Sequence, residues 1–202
     1  VYRAVDGFMR EIGASSGRGA YRQALLADKA VFSAREAIGK LFGIDDLSRI
    51  VFTSNATESL NLAIKGLLKA GDHVITSSME HNAVWRPLKR LESERGIKIT
   101  VVSCSKDGSL RAGDVAKVIR PNTRLVVMTH ASNVAGTLLP AGEVGAVARE
   151  RGVLFLVDAA QTAGTYPIDV RALGADLLAF TGHKGLLGPM GTGGLFIREG
   201  VE

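Results

Sequence analysis

An acid closes one strongly apolar run of this sequence, and an amine follows the next. Asp158 ends the stretch VLFLVD, and Lys184 stands in FTGHKG, just past DLLAF. A carboxylate at the end of an apolar strand is costly to bury unless it is paired. Its ordinary uses are a helix cap or an ion pair at the sheet end. A lone lysine is ordinarily a solvated surface residue. A lysine between glycines, just after an apolar strand, can instead enter a desolvated site, lose pKa and act as a nucleophilic amine.

One cofactor uses both groups at once. Pyridoxal 5′-phosphate needs a lysine for its Schiff base and an acid against its pyridine nitrogen. The acid keeps that nitrogen protonated, so the ring can accept electrons from a substrate carbanion. The phosphate needs backbone N–H groups at a helix start, together with hydroxyls. Ser54-Asn55-Ala56-Thr57-Glu58, ahead of the apolar LNLAIKGLL, supplies that arrangement. Taken alone the segment is an ordinary N-cap. The three features together carry the argument.

These residues must be held by a scaffold, and the pattern predicts one. Residues 1 to about 43 read as two helical stretches broken by the loop GASSGRGA. From Ile50 onward, short β-rich runs alternate with helical stretches: RIVFTS, HVITSS, IKITVVS, TRLVVMTH, VLFLVDAA, DLLAFTG and finally GGLFI. Strand–helix alternation with nearly unbroken apolar strands implies a largely parallel sheet covered on both faces, in one α/β domain. In such sheets ligands sit beyond the carboxyl ends of the strands. Ser54 to Glu58, Glu80–His81, Ser132–Asn133, Asp158 to Gln161 and Thr181 to Lys184 all follow apolar runs and are rich in polar side chains.

Composition narrows the function further. The chain has 202 residues, of which 46% are hydrophobic and 22% charged, as in ordinary globular proteins. Its net charge of +5 is spread along the chain and interleaved with acids, which argues against nucleic acid and suits a small anionic ligand. Gly39-Lys40 is followed by Leu41 rather than a hydroxyl residue, and Gly188, Gly191, Gly193 and Gly194 do not form GxGxxG. A nucleotide-binding domain therefore lacks its motifs. The single Cys104 excludes a disulfide framework and a cysteine-cluster metal site, and no metal is expected. The charge-free stretch from Leu125 to Gly142 contains His130, Asn133, Gly136 and Pro140, so it reads as a strand entering a polar loop. With no signal peptide and no membrane span, a soluble cytoplasmic protein is expected. The first residues lie inside a helical pattern and the last follow a strand, which suggests a piece of a longer protein.

Several segments, in order, resemble the class V aminotransferase family of pyridoxal-phosphate enzymes, above all its cysteine desulfurase and selenocysteine lyase branch. They are SSGRGAYRQALLADKAVFSARE, FTSNATESLNLAIKGL, SSMEHNAVWRPL, THASNVAGTLLP, VDAAQTAGTYPIDV and FTGHKGLLGPMGTGGL. The resemblance implies the large domain of fold type I, a mainly parallel (mixed) seven-stranded sheet between helices, over residues 1–202. By it, Lys184 matches the Schiff-base lysine and later general acid and base, and Asp158 the partner of the pyridine nitrogen. His81 matches the imidazole stacked on the cofactor ring. Gln161 and Asn133 match the amides near its 3-oxygen. Thr57 and the Ala56 amide match the phosphate cradle, with Thr181 and His183 as further phosphate ligands. His73 and His130 match no functional position and are read as structural.

The implied reaction is cleavage of the C–S bond of L-cysteine, giving alanine and an enzyme persulfide, with a sulfur-acceptor protein as partner. Selenocysteine lyase, cysteine lyase and aminotransferase share these site residues. The run Gly185-Leu186-Leu187 before Gly188-Pro189 is one residue longer than in the best-known desulfurases, so the substrate stays open among them. A non-catalytic α/β scaffold is the alternative of another class. By the resemblance, an N-terminal segment and a small C-terminal domain of the family are expected to lie outside residues 1–202. With the latter go a substrate-binding arginine and the sulfur-carrying cysteine, so the isolated piece is expected to be inactive. A homodimer is expected, and Cys104 is not expected to carry sulfur.

Overall fold

Nearly unbroken apolar runs let the central strands bury side chains on both faces, and this sets the architecture. A computed structural model describes residues 1–17 and 19–201; Arg18 of the SSGRGAYR segment and Glu202 lie outside the described residues. The element order is α1 (Tyr2–Glu11), α2 (Arg22–Phe42), β1 (Ile50–Thr53), α3 (Ala56–Leu67), β2 (His73–Ser77), α4 (Asn82–Arg95) and β3 (Lys98–Val102). It continues with α5 (Ala112–Val118), β4 (Thr123–Thr129), α6 (Ala141–Glu150), β5 (Leu154–Asp158), β6 (Leu177–Thr181) and β7 (Gly193–Ile197). The strands form one seven-stranded sheet in the order β1-β7-β6-β5-β4-β2-β3. Only β7 runs antiparallel to its neighbours, β1 and β6; the other pairings are parallel. The sheet is therefore mixed, as the resemblance implies.

Leu125, Val127 and Leu156 face one side with Leu60 and Ile64 of α3 and Val84 and Leu88 of α4. Val126, Met128, Phe155 and Val157 face the other, against Val144 and Ala148 of α6 and Val115 of α5. Each such side chain, fully buried, contributes about 1.5–3 kcal/mol, so the sheet is held from both faces. Helix α4 continues through its internal Pro87 because that face, with Val84, Leu88 and Leu91, is buried. The packing outweighs one missing backbone hydrogen bond.

Helix α1 departs from this rule. It is strongly amphipathic, yet none of its residues is buried, and Tyr2, Val5 and Met9 stand exposed. The connection from β5 to β6 is longer than the turn expected from sequence: it runs as turns from Ala159 to Asp176. Among the described residues no helix is long and apolar enough to cross a membrane.

Candidate active site

At the carboxyl end of the parallel strands lies a cleft of about 200 Å³. Ala56, Thr57, His81, Asn133, Asp158, Gln161, Thr181, His183 and Lys184 all line it, so the fold brings together the residues to which the family resemblance gives cofactor roles, whereas Ser54, Glu58, Glu80 and Ser132 lie outside the lining.

Helix α3 provides one wall. Asn55 caps it, its Oδ1 accepting the Glu58 N–H at 2.9 Å, while the Glu58 carboxylate takes the Ser54 N–H at 2.7 Å and its hydroxyl at 2.6 Å. This reciprocal box fixes the helix start and leaves the first-turn amides of Ala56 and Thr57 at the cleft. Strand β7 presses against the cap. A Cβ on Gly193 would come within 2.6 Å of Asn55 Cα, so only glycine lets the two approach. Opposite the cap, Thr181 Oγ1 and His183 Nδ1 are hydrogen-bonded at 2.9 Å.

Asp158 forms the floor. It is only 3% exposed; its Oδ1 accepts the Ala160 N–H at 2.9 Å. Among the described residues Oδ2 has no protein partner. Burial pushes its carboxyl above the usual aspartate range, and the Ala160 amide, then the charges of His81 and Lys184, pull the other way. A buried acid of this kind becomes an anion most readily when a positive or N–H group is brought against it.

His81 caps helix α4, its Nδ1 accepting the Ala83 N–H at 3.1 Å. An acceptor Nδ1 leaves the proton of the neutral ring on Nε2. Lys184 lies in a turn closed by the Leu187 N–H on the Lys184 carbonyl at 2.8 Å. The turn nests against the loop after β5 because residue 185 is glycine: a Cβ there would stand 2.5 Å from the Ala163 carbonyl oxygen. The desolvated setting considered for this lysine from sequence is not what the fold gives, because both His183 and Lys184 are exposed at the open rim of the cleft.

Thr129, at the end of β4, also lines the cleft and was not singled out. The strand-end rule pointed past it to Ser132 and Asn133, because His130 and Ala131 intervene. His73 is fully buried, bonded to Thr123 and Thr100, and His130 is buried against Thr162, so both sit as structural residues. Cys104 is half-buried against the core face of α5 and α6. Among the described residues no cluster of His, Cys, Asp and Glu could hold a metal ion.

Comparison with known proteins places this geometry in context. The aminotransferase class-V family model matches residues 1–202. A probable cysteine desulfurase of Methanothermobacter thermautotrophicus is 40% identical over 203 residues, covering all of this chain and 50% of the relative. The cysteine desulfurase IscS of Anaeromyxobacter dehalogenans is 42% identical over 177 residues, covering 86% of this chain and 43% of the relative. The apo structure of a cysteine desulfurase from Thermococcus onnurineus NA1 superposes with a TM-score of 0.93 at 37% identity, over 98% of this chain and 50% of that one. A structure described as SspA in complex with cysteine superposes at 0.90 with 35% identity, over 98% of this chain and 58% of that one. The chain thus spans about half the length of the curated relatives it matches.

Proposed function

Since the chain belongs to the class-V aminotransferase family, we propose that residues 1–202 form a pyridoxal-phosphate-binding domain of a cysteine desulfurase. The single observation that carries this reading is the buried Asp158 on the floor of the same cleft that Lys184 rims.

The donor set fits the cofactor. The amides of Ala56 and Thr57 at the α3 start, with the Thr57 and Thr181 hydroxyls and the His183 ring, suit a phosphate dianion. Asp158 Oδ2, on the cleft floor and without a hydrogen-bond partner among the described residues, suits a protonated ring nitrogen. When bound, the cofactor supplies an electron sink for a carbanion on the substrate. Asp158 holds the proton on the ring nitrogen. Lys184 Nζ, exposed at the open rim, would hold the cofactor and would move the proton at the substrate Cα. His81, its orientation fixed through Nδ1, would cover the ring. The amides of Asn133 and Gln161 would orient the ring by its 3-oxygen.

The finer reading takes L-cysteine as substrate, with alanine and an enzyme persulfide as products. It rests on the relatives described as cysteine desulfurases and on the neighbour described in complex with cysteine. It extends to a homodimer working in the cytoplasm and passing sulfur to an acceptor protein. The exposed apolar face of α1 supports pairing. Intact Lys184, Asp158 and His81 argue against a non-catalytic scaffold, which has no use for all three. The test is incubation of the cofactor-loaded gene product that carries this chain with L-cysteine and dithiothreitol. Alanine and sulfide in equal amounts are expected; pyruvate in place of alanine would replace the desulfurase reading with a lyase.

A further inference from the structure

Glu80 is a half-buried residue with a buried carboxyl oxygen, Oε2, and the proposed chemistry leaves it idle. It immediately precedes His81, yet it does not line the cleft. Its Oε1 accepts two hydrogen bonds from neighbouring strands: the Ser77 hydroxyl at the end of β2, at 2.5 Å, and the Thr129 N–H at the end of β4, at 3.1 Å. The Ser77 hydroxyl in turn accepts the Met79 N–H at 3.1 Å, so the turn between β2 and α4 is tied at both ends. Thr129 stands in register with Asp158 on β5, which puts this carboxyl beside the floor of the cleft. Oε2 is buried and has no hydrogen-bond partner among the described residues.

Building on the cofactor reading above, we propose that Glu80 is the positioning residue for His81: its carboxyl bolts the His81-bearing turn to β4 and so holds the imidazole at the cleft. A residue whose only duty was to tie two strands would not need to stand next to the side chain that the cleft uses. Nor would it need its second oxygen, Oε2, withdrawn from water. The protonation state agrees with this arrangement. Burial, with the Asp158 charge adding to it, pushes the carboxyl up to about 8 against the opposing bonds from Ser77 and Thr129. Glu80 is therefore a neutral acid near pH 7, and glutamine reproduces its shape and charge.

The experiment reads His81 directly, without cofactor. Imidazole ¹⁵N spectra of the histidine-labelled chain report which ring nitrogen carries the proton. The wild-type chain and Glu80→Gln are expected to show His81 as one Nε2–H tautomer, because Nδ1 stays on the Ala83 amide. Glu80→Ala is expected to average the two tautomers. Should Glu80→Ala not fold, Ser77→Ala removes one partner of the same oxygen and is expected to give the same averaging. A fixed His81 tautomer in the folded variant, with only a lower melting temperature, would overturn the proposal and leave Glu80 as a strand tie.

Cofactor affinity supplies the second readout. Glu80→Ala should weaken pyridoxal-phosphate binding roughly tenfold, Glu80→Gln should restore it, and in a His81→Ala background Glu80→Ala should add no further loss. Additive losses in the two backgrounds would count against positioning. Failure of the wild-type chain to bind the cofactor would sink the cofactor reading alone, and the tautomer spectra would still decide the role of Glu80.

Discussion

A buried acid such as Asp158 is maintained against the stability of the empty protein. Its carboxyl is held above the usual aspartate range by burial. For a group whose pKa is raised on folding, the favourable contribution is complete below the unfolded value and disappears as pH rises through the folded one. Asp158→Asn should therefore make the cofactor-free chain more stable at pH 8, by urea denaturation, while lowering turnover of the loaded enzyme on the order of 10²-fold or more. An equal loss of stability and activity would contradict the role assigned to it. Glu80 obeys the same sign, and a carboxyl pushed up to about 8 by burial fixes the window. The wild-type chain should lose stability relative to Glu80→Gln between about pH 5 and pH 8, with a slope of up to about 1.4 kcal/mol per pH unit. Melting curves of the two proteins across that range give the difference; parallel curves would mean that Glu80 is already ionised. Cys104 has its backbone N–H on the Ser78 hydroxyl at 2.9 Å and packs beside the core. Cys104→Ser should thus leave sulfide release from L-cysteine within about twofold, and its abolition in a folded variant would assign sulfur transfer to Cys104. Asp158 and Lys184 were legible because strand ends in a parallel sheet are where polar residues have work to do. The role of Glu80 was not, because its bond to Thr129 joins two strands that only the fold makes neighbours.

Helix and strand boundaries were legible wherever hydrophobic periodicity was strong, as in α3, α4 and β4. The place of β7 was not, since GGLFI says nothing about direction, and its antiparallel insertion between β1 and β6 depends on long-range pairing. That insertion matters to the cleft, for it sets Gly193 against the cap of α3. The loop between β6 and β7 holds a second local departure. Leu187 takes a positive φ of 55° while 77% exposed, in the run that is longer than in the best-known desulfurases. A branched residue with a Cβ pays about 1–2 kcal/mol for the left-handed region, and little packing compensates it here. Leu187→Gly should raise stability by about 1 kcal/mol in urea denaturation. A loss of similar size would mean that the leucine side chain makes contacts worth more than the backbone strain.

At the scale of the molecule, two buried faces make the sheet rigid, and the cleft is assembled from the loops at one edge of it. Residues far apart in sequence, such as Thr57, Asp158 and Lys184, reach one cleft because α3 begins, and β5 and β6 end, at the carboxyl end of the parallel strands. The α/β class followed from strand–helix alternation alone. The mixed sheet and the convergence of site residues followed from the family resemblance, since composition and periodicity do not order strands. The open rim at Lys184 needed the fold itself, because exposure of a glycine-flanked lysine depends on what packs above it. The central claim is that this cleft holds pyridoxal phosphate through Lys184. The chain is mixed with pyridoxal phosphate, reduced with borohydride, digested and read by peptide mass. The account predicts a pyridoxyl group on the peptide containing Lys184 and its disappearance in Lys184→Ala. A pyridoxyl group spread over other lysines, with the Lys184 peptide unmodified, would contradict it.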